Sequence, residues 1–153
     1  MVFDFKIVAL LSSLAVLLGL AVWSDLRQHR ISNVLSYGGV MTGLGLQLLL
    51  SGPQGLLDGT IGIACAALPM LALWMLGGTA AGDVKLMAVV GAFLGGKLAI
   101  LALVGTMLLG GCMGLVFMLY VRRSGAAGGD RRMPYAPAIA LGSGAAVWFA
   151  ATH

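Results

Sequence analysis

The chain has 153 residues, of which 60% are hydrophobic and only 9% charged, with a mean hydropathy of +1.04. An ordinary soluble domain carries about 25% charged residues, so this composition cannot cover a water-facing exterior and excludes a soluble enzyme or binding module. The net charge of +4 reads as membrane topology plus attraction to anionic lipid, ahead of any affinity for nucleic acid.

A helix that crosses the roughly 30 Å hydrocarbon core of a bilayer needs about 20 apolar residues. Charge-free runs of that order occupy residues 7–24, 34–57, 59–82, 98–121 and 133–152. A further run, 86–96, lies between Lys85 and Lys97 and is too short to cross unless both lysines reach outward to the interface. The expectation is therefore an all-α, polytopic bundle of six transmembrane helices with a short fourth helix, forming a single membrane-embedded domain over 1–153. The first run follows Asp4 and Lys6, exceeds the usual length of a signal-peptide core and is not followed by an A-x-A site, so it is read as a retained helix.

With six spans, Arg27, Arg30, Lys85, Arg122, Arg123, Arg131 and Arg132 fall on one side, against Lys6 and Lys97 on the other. Positive charge collects in cytoplasmic loops, so the first group is expected in the cytoplasm and both termini outside. Residues 122–132, centred on Ser124 to Gly129, form the one linker-like stretch and read as a cytoplasmic loop. Glycines at Gly39/Gly43, Gly91/Gly95 and Gly110/Gly114 have small-xxx-small spacing, which serves helix packing first and association with a second copy of the chain as the alternative. Cys65 and Cys112 form no C-x-x-C pair and are expected to pack inside the spans, not to bind metal or bridge.

The acidic inventory is Asp4, Asp25, Asp58, Asp83 and Asp130, with no glutamate. Asp4 near the terminus, Asp58 in a short outer loop after Ser51-Gly52-Pro53-Gln54, and Asp130 beside Arg131 and Arg132 read as solvated charges. Asp25 ends the first helix and Asp83 opens the fourth after a run of small residues, so both map to the cytoplasmic membrane face. Two carboxyl groups brought together in a partly dry site cannot both ionise easily, which makes one an acid and the other a base. That chemistry needs no metal, nucleotide or organic cofactor. The plainer alternatives are an ion pair of Asp25 with Arg27 or Arg30, and an Asp83 that caps the fourth helix. Lys85 reads as an interfacial anchor, with a role beside Asp83 or substrate as the alternative; His29 reads as a surface residue.

Three stretches carry a resemblance. Residues 25–33, Asp25-Leu26-Arg27-Gln28-His29-Arg30-Ile31-Ser32-Asn33, are similar to a D-x-R-x-x-x-I-P-N pattern with Ser32 in place of proline. Residues 80–86, Ala80-Ala81-Gly82-Asp83-Val84-Lys85-Leu86, are similar to G-x-G-D-x-K-L with Ala80 in place of the first glycine. Residues 133–142 open with Met133-Pro134-Tyr135-Ala136-Pro137, a Pro-aromatic-small-Pro segment. In this order they resemble the type IV prepilin leader peptidases, intramembrane aspartic proteases of the GxGD type. The resemblance implies a six-helix core with Asp25 and Asp83 as catalytic residues and Arg27, Asn33, Gly82 and Lys85 as the motif around them. It also implies a multi-pass protein of the bacterial inner membrane whose partner is a prepilin or pseudopilin peptide. Such a substrate has a short basic leader, cut after a glycine and ahead of a hydrophobic helix. The two C-x-x-C pairs that accompany N-methylation in bifunctional members are missing from this sequence, so it resembles the minimal form of Flp-type (tight-adherence) pilus systems. A small cation- or proton-coupled transporter, or a non-catalytic scaffold of a pilus secretion assembly, are the alternative functions for the same two acids.

Overall fold

The computed structural model describes residues 2–28, 33–123 and 136–152, with side chains over 8–24, 33–116, 119 and 137–148. Four helices account for nearly all of it: α1 (Val2–Gln28), α2 (Asn33–Met75), α3 (Ala81–Arg123) and α4 (Ala136–Thr152). The segments 29–32 and 124–135, with His29, Arg30, Ser32, Asp130 and the opening of the Pro-aromatic motif, lie outside the described residues, as do the side chains of Asp4, Asp25 and Arg27.

The six separate helices expected from the charge map are found as four helical stretches, of which α2 and α3 are each broken at one position, and the reason is local. Connections were expected around Asp58 and Lys97, where charges interrupt the apolar runs. Instead each long helix contains one glycine with non-helical angles, Gly52 (φ 66, ψ −157) in α2 and Gly95 (φ 73, ψ 176) in α3, and helical pairing resumes at once on either side. These angles belong to a region open essentially only to glycine. The chain folds back at both positions. In a straight helix Met87 and Thr106 would be separated by roughly 28 Å along the axis, yet the Thr106 hydroxyl lies 3.9 Å from the Met87 sulfur. A Cβ built on Gly59 would similarly stand 3.0 Å from the Leu44 side chain, so α2 also doubles back.

The first arm of α3 is the centre of the bundle. Leu86, Met87, Val89, Val90, Ala92, Phe93 and Leu94 are all buried there, and a helix that is apolar all round belongs inside. Small residues let its neighbours close on it. Gly39 and Gly43 of α2 lie against Val89 and Phe93, and Gly62 and Gly91 meet backbone to backbone, where a Cβ on either would strike the other's carbonyl. The Gly39/Gly43 spacing and Gly91 therefore serve packing within the chain. Gly142 of α4 packs on Thr106 in the same manner. From α1, Leu10, Leu14, Leu18 and Ala21 face the core.

The outside of the bundle is apolar too: Leu49 and Leu76 are 83% and 84% exposed, with Val116, Leu108 and Leu119 exposed alongside them. Two stretches, Asn33–Met75 and Ala81–Val116, are long and apolar enough to cross a membrane. Cys65 is half-buried and Cys112 is exposed, so the expected burial of Cys112 is also corrected; it lies on the outward side of the second arm of α3.

Polar groups hold the fold-back of α3. The break at Gly95 strips helical partners from the carbonyls before it and the amides after it. The Gln47 side-chain amide donates to the Phe93 carbonyl at 2.9 Å, and the Asp58 carboxylate accepts from the Gly96 N–H at 3.1 Å. Asp58 was expected to be a solvated loop charge. It is instead a helical residue that remains exposed while capping the second arm of α3, because the fold-back occurs six residues before it.

Candidate active site

α2 ends in a left-handed glycine cap. Gly77 has φ +78; its N–H donates to the Trp74 carbonyl at 2.9 Å, and the Gly78 N–H to the Leu73 carbonyl at 2.8 Å. This pairing satisfies the last carbonyls of the helix and turns the chain sharply. Thr79 and Ala80 follow, and α3 starts at Ala81. Asp83 is the third residue of α3 and is 5% exposed. Its carboxylate accepts from the Ala80 N–H at 3.0 Å, while its own N–H donates to the Ala80 carbonyl at 3.0 Å. This is the returning half of a capping box, placed where the helix dipole favours an anion. Capping, one of the plainer readings of Asp83, is thus realised. It does not exhaust the residue, since Asp83 also faces a cleft.

The cleft holds about 680 Å³ and is lined by Trp74, the turn from Gly77 to Ala81, Asp83, and Gly110, Gly111 and Gly114 of the second arm of α3. A Cβ on Gly111 or Gly114 would meet nothing within 4 Å. In contrast to Gly62 and Gly91, these glycines leave a wall bare instead of admitting a neighbouring helix. The Gly110/Gly114 spacing noted in the sequence therefore shapes a cavity.

Lys85, one turn beyond the start of α3, donates from Nζ to the Asn33 side-chain oxygen at 2.6 Å and lies 5.8 Å from the Tyr37 ring centroid. A charged donor makes a stronger hydrogen bond than a neutral one, and the cation–ring contact adds to it. Lys85 thereby ties the start of α2 to the start of α3, a more specific role than the interfacial anchor expected. Gly82 is half-buried in the first turn of α3.

Of the site residues read from sequence, the structure brings together Asn33, Gly82, Asp83 and Lys85. Asp25 and Arg27 lie in the last turn of α1, whose end at Gln28 is joined to Asn33 by only four intervening residues. Five Cα steps span at most about 19 Å, so the end of α1 returns to the end of the bundle that carries Lys85 and Asp83. Thr79, Trp74, Tyr37 and the bare glycines were not singled out as site residues. Thr79 lies four residues before Asp83 and Tyr37 four after Asn33, which is their sequence signal; Trp74 and Gly111 have none, and the Gly110/Gly114 spacing pointed to helix packing, not to a site. Among the described residues no group of three or more His, Cys, Asp or Glu could hold a metal ion.

A buried carboxyl in a cleft at the end of a bundle can exchange protons with a bound molecule. Residues 12–115, more than half of the chain, match the model of the type IV leader peptidase family. No curated protein and no solved structure matches the chain.

Proposed function

The chain belongs to the type IV leader peptidase family, and on that premise we propose that it is an aspartic endopeptidase in which Asp25 and Asp83 cut the short basic leader from a prepilin-like, Flp-type substrate. The family makes the chain a protease. The observation that supports Asp83 as one member of a catalytic pair is its burial in an open cleft at the end of the bundle to which the α1 terminus carrying Asp25 returns.

Two carboxyl groups in a site partly shielded from water share a proton. The ionised member takes a proton from a water molecule, whose oxygen attacks the scissile carbonyl. The protonated member stabilises the oxyanion that forms and then helps to protonate the leaving amine. No cofactor enters these steps. The turn at Gly77 and the capping bond from Ala80 hold Asp83 at a defined height, which limits the motion needed to reach the transition state.

The apolar exterior, with leucines such as Leu49 and Leu76 turned outward, supports a protein of the bacterial inner membrane. We read α1, the two arms of α2, the two arms of α3, and α4 as six crossings with both termini outward. The cleft then opens to the cytoplasm, where the basic residues collect. The substrate's hydrophobic helix lies in the bilayer and its leader reaches the cleft. The mature N-terminus leaves unmethylated.

Processing of a precursor in membranes, with protein level and thermal midpoint followed alongside, tests the reading. Asp25→Asn and Asp83→Asn are each expected to abolish cleavage and remain folded. Near-normal processing by either folded variant removes the two-aspartate mechanism and returns the transporter and scaffold functions to the front.

A further inference from the structure

Asp83 and Lys85 stand two positions apart on α3, so their side chains leave the helix about 200° apart. Asp83 borders the cleft, while Lys85 reaches α2. There Lys85 meets two groups one turn apart: its Nζ donates to the Asn33 side-chain oxygen at 2.6 Å and lies 5.8 Å from the centroid of the Tyr37 ring. Beyond these contacts the first arms of α2 and α3 run side by side, with Gly39 against Val89 and Gly43 against Phe93. Lys85 extends that seam to the cleft end of the bundle, where Asn33, Val34 and Tyr37 are exposed.

Asn33 is also the residue at which the chain from α1 arrives. Only four residues separate it from Gln28, the end of α1, whose last turn carries Asp25. Among the described residues, the buried stripe of α1 runs through Leu10, Leu14, Leu18 and Ala21 and stops four residues before Asp25; Trp23 beyond it is exposed. The short link to Asn33 therefore constrains that last turn where the buried stripe does not. Lys85 reaches from the helix of one acid to the segment that tethers the other.

We propose that Lys85 is a positioning residue: by gripping Asn33 and the Tyr37 ring it sets the start of α2, and through the four-residue link the last turn of α1, relative to Asp83, and so fixes the separation of the two carboxyls. This rests on the peptidase reading and deepens it. Lys85 touches neither substrate nor reacting atoms in this role. Its effect is on how often the two acids stand in working geometry, which enters kcat and not substrate affinity.

The test uses the purified full-length chain in detergent micelles and a synthetic peptide with a basic leader, a glycine and a following apolar segment. Lys85→Met keeps a long flexible side chain and loses the charged donor. It is expected to lower kcat about 3- to 10-fold, the shift in population that one such hydrogen bond can hold, with KM nearly unchanged. The loss should persist well below the thermal midpoint, where every variant is folded. Lys85→Arg retains both a donor for Asn33 and a cation for the Tyr37 ring and is expected to restore most of kcat. Asn33→Ala should lower kcat to a similar extent, and Lys85→Met/Asn33→Ala should be scarcely worse than either single variant, because both remove the same contact.

Unaltered kcat in Lys85→Met overturns the proposal, as does multiplication of the two losses in the double variant. A rise in KM alone also overturns it, by making Lys85 a substrate contact, and so does a loss that vanishes once the variant is assayed fully folded. Asp83→Asn separates these outcomes from failure of the underlying reading. If that variant is inactive while Lys85→Met is normal, the positioning role falls and the aspartic mechanism stands. If Asp83→Asn cleaves the peptide, or the unaltered chain does not, both fall.

Discussion

Asp83 joins two tasks in one side chain: its carboxylate closes the first turn of α3 on the Ala80 N–H and at the same time borders the cleft. Asparagine retains an oxygen for that N–H and is about as good a cap as aspartate, so Asp83→Asn should shift stability by less than about 1 kcal/mol while losing the ability to cycle between acid and base. In the proposed mechanism the pair acts as a unit, so the double variant Asp25→Asn/Asp83→Asn is expected to be scarcely worse than either single one. Rates from single-turnover processing of the three variants check this; independent, multiplying losses would contradict a shared mechanism. Asp130→Asn and Asp58→Asn serve as controls that keep processing intact. Asp58 now carries a structural expectation as well, because its carboxylate accepts from Gly96 at the opposite end of the central arm from Asp83.

At the scale of the element, the arm of α3 that carries Asp83 is held at both ends. Lys85 fastens its start to Asn33, and Gln47 and Asp58 satisfy the backbone groups released at the Gly95 fold-back. Gly52 and Gly95 have similar angles, but their surroundings differ. A Cβ on Gly52 would meet nothing within 4 Å, whereas one on Gly95 would run into the Asp58 carboxylate. Gly52→Ala should therefore cost only the strain of the glycine-only conformation, about 1–3 kcal/mol. Gly95→Ala should cost that plus the displacement of Asp58 from Gly96, a cap worth about 1 kcal/mol more. Thermal midpoints in one detergent order the two variants, and an equal loss would show that the Asp58 contact contributes nothing.

For the whole molecule, the apolar exterior and the fold-backs make a topological prediction. Gln54 follows the Gly52 turn and Leu76 comes just after the end of the second arm of α2, and both are exposed. In a background lacking Cys65 and Cys112, Gln54→Cys and Leu76→Cys are expected to react with an impermeant thiol reagent from opposite sides of the membrane, Leu76→Cys from the cytoplasm. Labelling of both from one side overturns the six-crossing reading. A second whole-molecule prediction concerns the product: with methyl donor present and no other enzyme, mass spectrometry should find the mature N-terminus free, and an added methyl group would contradict a minimal peptidase.

The sequence by itself determined that the chain is too apolar to cover a water-facing exterior and made Asp25 and Asp83 the candidate acids of the proposed mechanism. Hydropathy reports what each segment faces, and five aspartates among 153 residues leave few candidates once those near the ends of loops are set aside. The motifs around Asp25 and Asp83 were legible for the same reason, since residues 25–33 and 80–86 are each contiguous. Only the tertiary structure decided where the long helices turn. A reversal made by one left-handed glycine leaves no polar signature, so the charges at Asp58 and Lys97 drew the expected boundaries past the glycines that make them. Tertiary structure also decided which distant groups meet: Asn33 with Lys85, Gln47 with Phe93, Asp58 with Gly96, and the bare glycines of α3 with the Thr79 turn. Hydrogen bonds between arms depend on how far each helix runs before it folds back, and that length is fixed by the breaks at Gly52 and Gly95, which hydropathy does not record.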